Sequence, residues 1–247
     1  MMKRNNFPFS AVLGLNHAKT AILIVLVNPR AGGLLISGPR GIGKSTLMRS
    51  TQELIERPWR DIPVSVTEDR LFGTIDTEKA IYSGQKKLYP GIINEADQGV
   101  LYLDDANLLR EDLLDSILNI AEVGAYQLER DGLSLRCDTS FTVIAAINPE
   151  SGMLSGACLD QFGLFVNVDN IHDENTRVEI LKRTISFEKD YASFCNIWKL
   201  ENEKRKKTTF CNVLAAQSGC FIGHDTVGIG ICFKSTCIRT SGGYLFN

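Results

Sequence analysis

The chain has 247 residues, of which 44% are hydrophobic and 23% charged, with a net charge of −2. That is ordinary globular composition, long enough for one large α/β domain and a small second one. The near-neutral charge gives no global basic field for nucleic acid, and the longest apolar run, Ala21 to Val27, falls far short of the roughly 20 residues that span a bilayer.

Asn16 to Val27 reads as a buried helix closed by Asn28-Pro29. Lys3 and Arg4 precede it as in a signal peptide. However, Asn16, His17 and Lys19 interrupt the apolar stretch, and no small-residue cleavage site comes before Asn28. The expected compartment is the cytoplasm, or the plastid stroma in a photosynthetic eukaryote.

Leu34-Leu35-Ile36 is a short buried strand, and residues 38 to 45 then read Gly-Pro-Arg-Gly-Ile-Gly-Lys-Ser. This is a complete G-x-x-x-x-G-K-[ST] phosphate loop. Gly38, Gly41 and Gly43 allow close backbone approach, so that the loop formed by Gly38, Pro39, Arg40, Gly41, Ile42, Gly43, Lys44, Ser45 and Thr46 wraps a triphosphate, every residue but Pro39 having a backbone N–H to offer. Lys44 is expected to reach the β- and γ-phosphates and Ser45 to hold Mg²⁺. Ser45 to Ile55 is expected as the helix whose N-terminus receives the phosphates, with Leu47, Met48, Leu54 and Ile55 apolar.

Pro58 and Pro63 punctuate the next turn, and residues 64 to 90 mix short apolar pieces with Gly73, Gly84 and Pro90, as an insertion does. Gly99 to Leu103 is a second buried strand. Leu108 to Val123 is amphipathic, with Leu109, Leu113, Leu114, Ile117, Leu118 and Ala121 at helical spacing. Tyr126 to Arg136 alternates around Asp131-Gly132, which predicts a β-hairpin. Phe141 to Ile147 is a third buried strand ending at Asn148-Pro149, and Leu164 to Val168 a candidate fourth. Asp173 to Phe187 is a helix with an acidic start.

Strands alternating with helices imply βαβ units and a parallel sheet, whose ligands sit beyond the carboxyl ends of the strands. The phosphate loop, Asp104-Asp105 and Asn148 each follow an apolar strand directly, so all three are expected on one sheet edge. Asp104 then supports Mg²⁺, directly or through water, and Asp105 polarises the attacking water. An Asp after a strand also serves as a helix N-cap. Asn148 is placed to hydrogen-bond the γ-phosphate or orient the water, and Asn-Pro equally initiates turns.

The seven cysteines, Cys137, Cys158, Cys195, Cys211, Cys220, Cys232 and Cys237, form no C-x-x-C pair, which argues against a zinc or thioredoxin-type site. His17, His172 and His224 lack ligand spacing.

The succession of the phosphate loop Gly38 to Ser45 (Walker A), the strand-end Asp104-Asp105 (Walker B) and Asn148 as a sensor resembles an AAA+ ATPase, and more specifically the I subunit of magnesium chelatase. The likeness is carried by Phe7-Pro8-Phe9-Ser10, Val12-Leu13-Gly14, Val66-Thr67-Glu68-Asp69-Arg70-Leu71 and Leu101 to Leu109. Glu129-Arg130-Asp131-Gly132-Leu133-Ser134, Asn148-Pro149-Glu150, Leu159 to Leu164 and Thr176-Arg177-Val178-Glu179 continue it. It covers about residues 7 to 194. It implies a ring-forming, homohexameric motor that uses ATP and Mg²⁺, with a von Willebrand-domain D subunit. ATP hydrolysis in that family drives a large H subunit to insert Mg²⁺ into a tetrapyrrole. No membrane or nucleic-acid partner is implied.

Three departures stand out against the family pattern. The family's Asp-Glu is Asp104-Asp105 here, and its Asp-Arg-Phe-Gly-Leu is Asp160-Gln161-Phe162-Gly163-Leu164, which replaces the arginine finger by an uncharged amide. From about Cys195 the likeness fades, and the helical lid is expected to be missing or degraded. Residues 195 to 247, with the basic run Lys204 to Lys207 and the β-branched piece Val227 to Phe233, then form an atypical tail, disordered or read in a shifted frame. These departures suggest a chain that binds ATP and hydrolyses it slowly, or a regulatory or assembly subunit.

Overall fold

The computed structural model describes residues 6–75, 88–130 and 133–217. In chain order, α1 spans Asn16–Val27, β1 Leu34–Ser37, α2 Lys44–Thr51, β2 Trp59–Ile62, α3 Glu68–Phe72 and β3 Gly73–Ile75. Next come β4 Leu88–Pro90, α4 Ile92–Glu95, β5 Val100–Leu103, α5 Glu111–Val123, β6 Ala125–Arg130 and β7 Leu133–Asp138. β8 Thr142–Ile147, α6 Gly156–Asp160, β9 Leu164–Asn167, α7 Glu174–Lys189 and α8 Tyr191–Gln217 follow. Five strands make a sheet of order β2-β5-β8-β1-β9. The registers of β2 with β5, β5 with β8 and β1 with β9 are parallel. The α/β core with a parallel sheet expected from the strand–helix alternation is the observed architecture.

Two compact units divide the chain, Met1–Glu56 with Gly163–Asn247, and Arg57–Phe162. In the first, every residue of β1 is buried, as a central parallel strand of Leu and Ile requires. α1 runs over the residues expected and buries Ala18, Ala21, Ile22, Val25 and Leu26. Phe7 stacks at 5.0 Å on Phe187 and 5.2 Å on Phe194, and the Arg183 guanidinium lies 4.5 Å over Trp198. These contacts fasten α7 and α8 to the N-terminal segment. Burial, with Arg205 and Arg183 nearby, pushes the Lys19 amine down to about 8.

Residues 195–217, expected to begin the atypical tail, continue α8 without a break. Asn202 accepts from the Ser10 backbone N–H at 2.9 Å and donates to Glu53 at 3.2 Å, and Lys206 donates to Glu56 at 2.7 Å. The basic run thus makes ion pairs within its own unit. The segment Val227 to Phe233 and the other residues of 218–247 lie outside the described residues, as does His224.

Gly163 shows how closely this unit is packed. A Cβ there would lie 1.6 Å from the Ala31 carbonyl oxygen, while the Gly163 N–H donates to Gly32 O at 2.8 Å. Gly163→Ala must therefore push backbone from backbone. An expected loss of about 2 kcal/mol or more, within the 1–3 kcal/mol typical of overpacking, is checked by urea unfolding.

In the second unit β5 and β8 are fully buried. α5 buries Leu113, Leu114, Ile117 and Leu118 of the expected stripe together with Ile120, while Ala121 is half-buried. The helix starts at Glu111 and not at Leu108. The Leu108 N–H instead closes a 3₁₀ turn onto Asp105 O at 2.8 Å, and the acidic pair Glu111 and Asp112 suits the positive end of the helix. β6 and β7 pair antiparallel from Ala125↔Asp138 to Arg130↔Leu133, which is the expected hairpin. Its Asp131-Gly132 turn lies outside the described residues, as do residues 76–87 of the expected insertion. The described part of that insertion holds α3 and the β3–β4 pair.

Among the described residues no group of His, Cys, Asp and Glu is arranged to hold a metal ion, and no helix is long and apolar enough to cross a membrane. Cys137 and Cys158 are buried free thiols and Cys195 is a half-buried one.

Candidate nucleotide site

The phosphate loop leaves β1 at Gly38, where a Cβ would lie 2.4 Å from Val168 O and 2.6 Å from Val168 Cγ2. Only glycine lets the strand turn there. Gly41 and Gly43 sit at φ +83° and +91°, left-handed positions that favour glycine. A Cβ at Gly41 would meet nothing within 4 Å among the described residues. Gly43 is the N-cap of α2 and supplies no capping side chain. Leu47 and Met48, both 0% exposed, anchor the helix behind it.

Lys44 is buried, and its ammonium donates to Gly38 O at 2.5 Å and Pro39 O at 2.8 Å. The lysine is thus folded back into the loop's own carbonyls, at the position where phosphate oxygens are expected. Ser45 is half-buried; Arg40 and Thr46 are exposed. α2 ends earlier than the expected Ile55. The Ser50 and Thr51 hydroxyls both donate to Leu47 O, at 2.6 and 2.9 Å, and the chain tightens into a 3₁₀ turn over Gln52–Leu54.

One neighbour of the loop carried no functional reading in the sequence. Gly14 and Leu15 are consecutive left-handed residues, at φ +68° and +54°. Leu15 Cδ1 comes within 3.9 Å of where a Cβ on Gly43 would be. The unusual backbone of two adjacent residues thus brings an apolar side chain to the phosphate loop.

In the second unit β5 delivers Asp104, whose Oδ1 accepts from the Tyr102 hydroxyl at 2.9 Å. Asp105 follows at φ +50°, ψ +50° and opens the 3₁₀ turn Ala106–Leu108. β8 delivers Asn148, 1% exposed. Its Oδ1 accepts from the Glu150 N–H at 3.2 Å and its Nδ2 donates to Ser151 Oγ at 3.2 Å. The turn-initiating role of Asn148 is thus present, and among the described residues one amide N–H is left for a further acceptor. Gln161 is half-buried and lines a groove with Asp115, Ser116, Asn119 and Glu122. Beside it the Cys158 thiol donates to Asp115 at 2.9 Å; burial first, and then that carboxylate, pushes the thiol up.

A glycine-rich loop, a helix that begins on glycine and a buried lysine make a donor set that fits the phosphates of a nucleotide, and the aspartate at the end of β5 in the second unit is of the type that supports Mg²⁺. Fold and loop together define a P-loop nucleotide-binding protein. Residues 33–161 match the model of the AAA domain, dynein-related subfamily. The magnesium-chelatase 38 kDa subunit of Cereibacter sphaeroides is 35% identical over 229 residues, covering 79% of this chain and 69% of that one. The magnesium-chelatase subunit ChlI of Cyanophora paradoxa is 33% identical, covering 82% and 71%. The homologue of that subunit in Methanocaldococcus jannaschii is also 33% identical, covering 83% and 66%. A cryo-EM-based structure of the complex between subunits BchI and BchD of magnesium chelatase matches with a TM-score of 0.64 at 33% identity, over 87% of this chain and 76% of that one. The chain belongs to the magnesium-chelatase I-subunit family of AAA proteins, and it spans about two thirds of the length of these curated relatives.

Proposed function

We propose that the protein is the ATP-hydrolysing motor subunit of a magnesium-chelatase-type complex, acting in the cytoplasm or plastid stroma. The observation that carries this reading is the Gly38–Thr46 loop, with its two left-handed glycines and buried Lys44, in a chain of this family. In this reading the loop N–H groups and the first turn of α2 hold the phosphates. Lys44 exchanges its bonds to Gly38 O and Pro39 O for phosphate oxygens. Ser45 and Asp104 hold the Mg²⁺ of the nucleotide, and that ion when bound neutralises charge on the phosphates. Asp105 accepts a proton from the attacking water, and Asn148 donates its remaining amide N–H to a phosphate oxygen.

The expected assembly is a homo-oligomeric ring of six. It would work with a D-type von Willebrand-domain subunit, in keeping with the BchI–BchD complex of the structural neighbour. A large H-type subunit would insert the metal into the tetrapyrrole.

Lys44→Ala is expected to weaken ATP binding by about 10- to 100-fold, the worth of one or two charge-assisted hydrogen bonds. A fluorescent ATP analogue titrated into wild type and variant checks this. Equal affinities would remove the phosphate role. Addition of wild-type protein to the D and H subunits should support ATP-dependent Mg²⁺ insertion into protoporphyrin, and Lys44→Ala should not.

A further inference from the structure

Two turns of the second unit carry groups assigned above, and one side chain joins them. The first is the turn opened by Asp105, in which Leu108 N–H bonds to Asp105 O. The second runs from Asn148 to Gly152. There Ser151 N–H donates to Asn148 O at 3.0 Å and Gly152 N–H to Pro149 O at 3.3 Å. Asn107 lies in the first turn, and its Nδ2 donates to both ends of the second, to Asn148 O at 3.1 Å and Gly152 O at 3.0 Å. The two bonds reach across 41 and 45 residues of sequence.

The orientation of this amide follows from its surroundings. Two carbonyls face it, so the NH₂ must point at them, and a flipped amide would set three oxygens together. The consequence is that Asn107 Oδ1 is buried with no hydrogen-bond partner among the described residues. An orphan buried acceptor is costly. An apolar side chain of the same size would escape that cost but could not grip the second turn.

We propose that Asn107 is a positioning residue for ATP hydrolysis. It staples the turn that orients the Asn148 amide to the turn that carries Asp105, so that the two groups move as one unit. The inference rests on the hydrolytic reading given above. Asn107 itself touches no reacting atom in this scheme; it acts through Asn148 and Asp105.

The experiment uses the full chain. Asn107→Leu, Asn148→Ala and the double variant are compared with wild type by single-turnover ATP cleavage, ATP-analogue binding and thermal unfolding. Asn107→Leu trades two hydrogen bonds for relief of the orphan acceptor, so its Tm is expected to stay within a few degrees of wild type and its ATP affinity within about twofold. Its cleavage rate is expected to fall about tenfold, a modest part of the effect of a 1 Å misplacement. The double variant should be no slower than Asn148→Ala, because groups acting as a unit are not additive. Wild-type cleavage by Asn107→Leu, a loss that tracks Tm and affinity instead of rate alone, or strictly multiplicative losses would each overturn the staple. Wild type that binds ATP without cleaving it would overturn the hydrolytic reading itself and the staple with it.

Discussion

Gln161→Arg is expected to raise steady-state ATP turnover of the assembled protein by about 10²- to 10³-fold. A trans arginine is worth about 10³ to 10⁵ in related NTPases because it offsets charge that develops on the transferring phosphoryl group. Gln161 offers only a neutral amide at the position where the family resemblance implies that arginine. The lower end of the range follows from the groove in which Gln161 sits. Asp115 and Glu122 line it, and a new guanidinium would pair with them as readily as with a neighbouring nucleotide. Glu122→Gln in the Gln161→Arg background should therefore raise turnover further. It is preferred to a change at Asp115, whose carboxylate holds the Cys158 thiol. Lysine at 161 should gain much less, because a point charge lacks the planar fork. The measurement is phosphate release against protein concentration, with sedimentation run in parallel, since a finger in trans acts only in the oligomer. Unchanged turnover in an oligomeric Gln161→Arg sample would remove the explanation that this position limits hydrolysis.

The phosphate loop was legible because its physics is local. Gly38, Gly41, Gly43 and Lys44 lie within seven residues, and the strand before them and helix after them are short apolar segments with an obvious period. α1 and the β6–β7 hairpin were legible for the same reason. The course of α8 was not. Its hold on the body comes from Asn202 and Lys206 meeting Ser10, Glu53 and Glu56, which lie about 150 or more residues away in sequence. No local period encodes that. The start of α5 was misplaced by three residues because Leu108 and Leu109 fit the helical spacing, while the Asp105 carbonyl had already claimed the Leu108 N–H. Asn107 escaped notice because the carbonyls that it grips belong to another strand's turn.

The backbone at Asp105 was equally invisible, and it alters what the aspartate means. Leu15, Gln98 and Asp105 are the non-glycine residues at positive φ among those described. Aspartate visits the left-handed region more readily than glutamate, because its short side chain bonds locally. The shorter carboxylate therefore suits the backbone while falling short of the reach expected of the family's glutamate. Asp105→Asn keeps that backbone and removes the base. It should bind ATP as wild type does and lose turnover by about 10²- to 10³-fold, within the range for a general base. Asp105→Glu should act on both properties in opposite directions. Turnover is expected to rise by up to about 10²-fold as the carboxylate gains about 1 Å of reach. Stability should fall by about 1 kcal/mol from left-handed strain, a Tm drop of about 2–4 °C for a chain of this size. Asp105→Gly separates the two, with backbone strain relieved, Tm unchanged or higher, and turnover lost. A faster Asp105→Glu with unaltered Tm would mean that the left-handed turn relaxes on substitution. An Asp105→Asn variant that cleaves ATP at the wild-type rate would show that this carboxylate takes no proton, and the role would have to pass to Asp104 or to water alone.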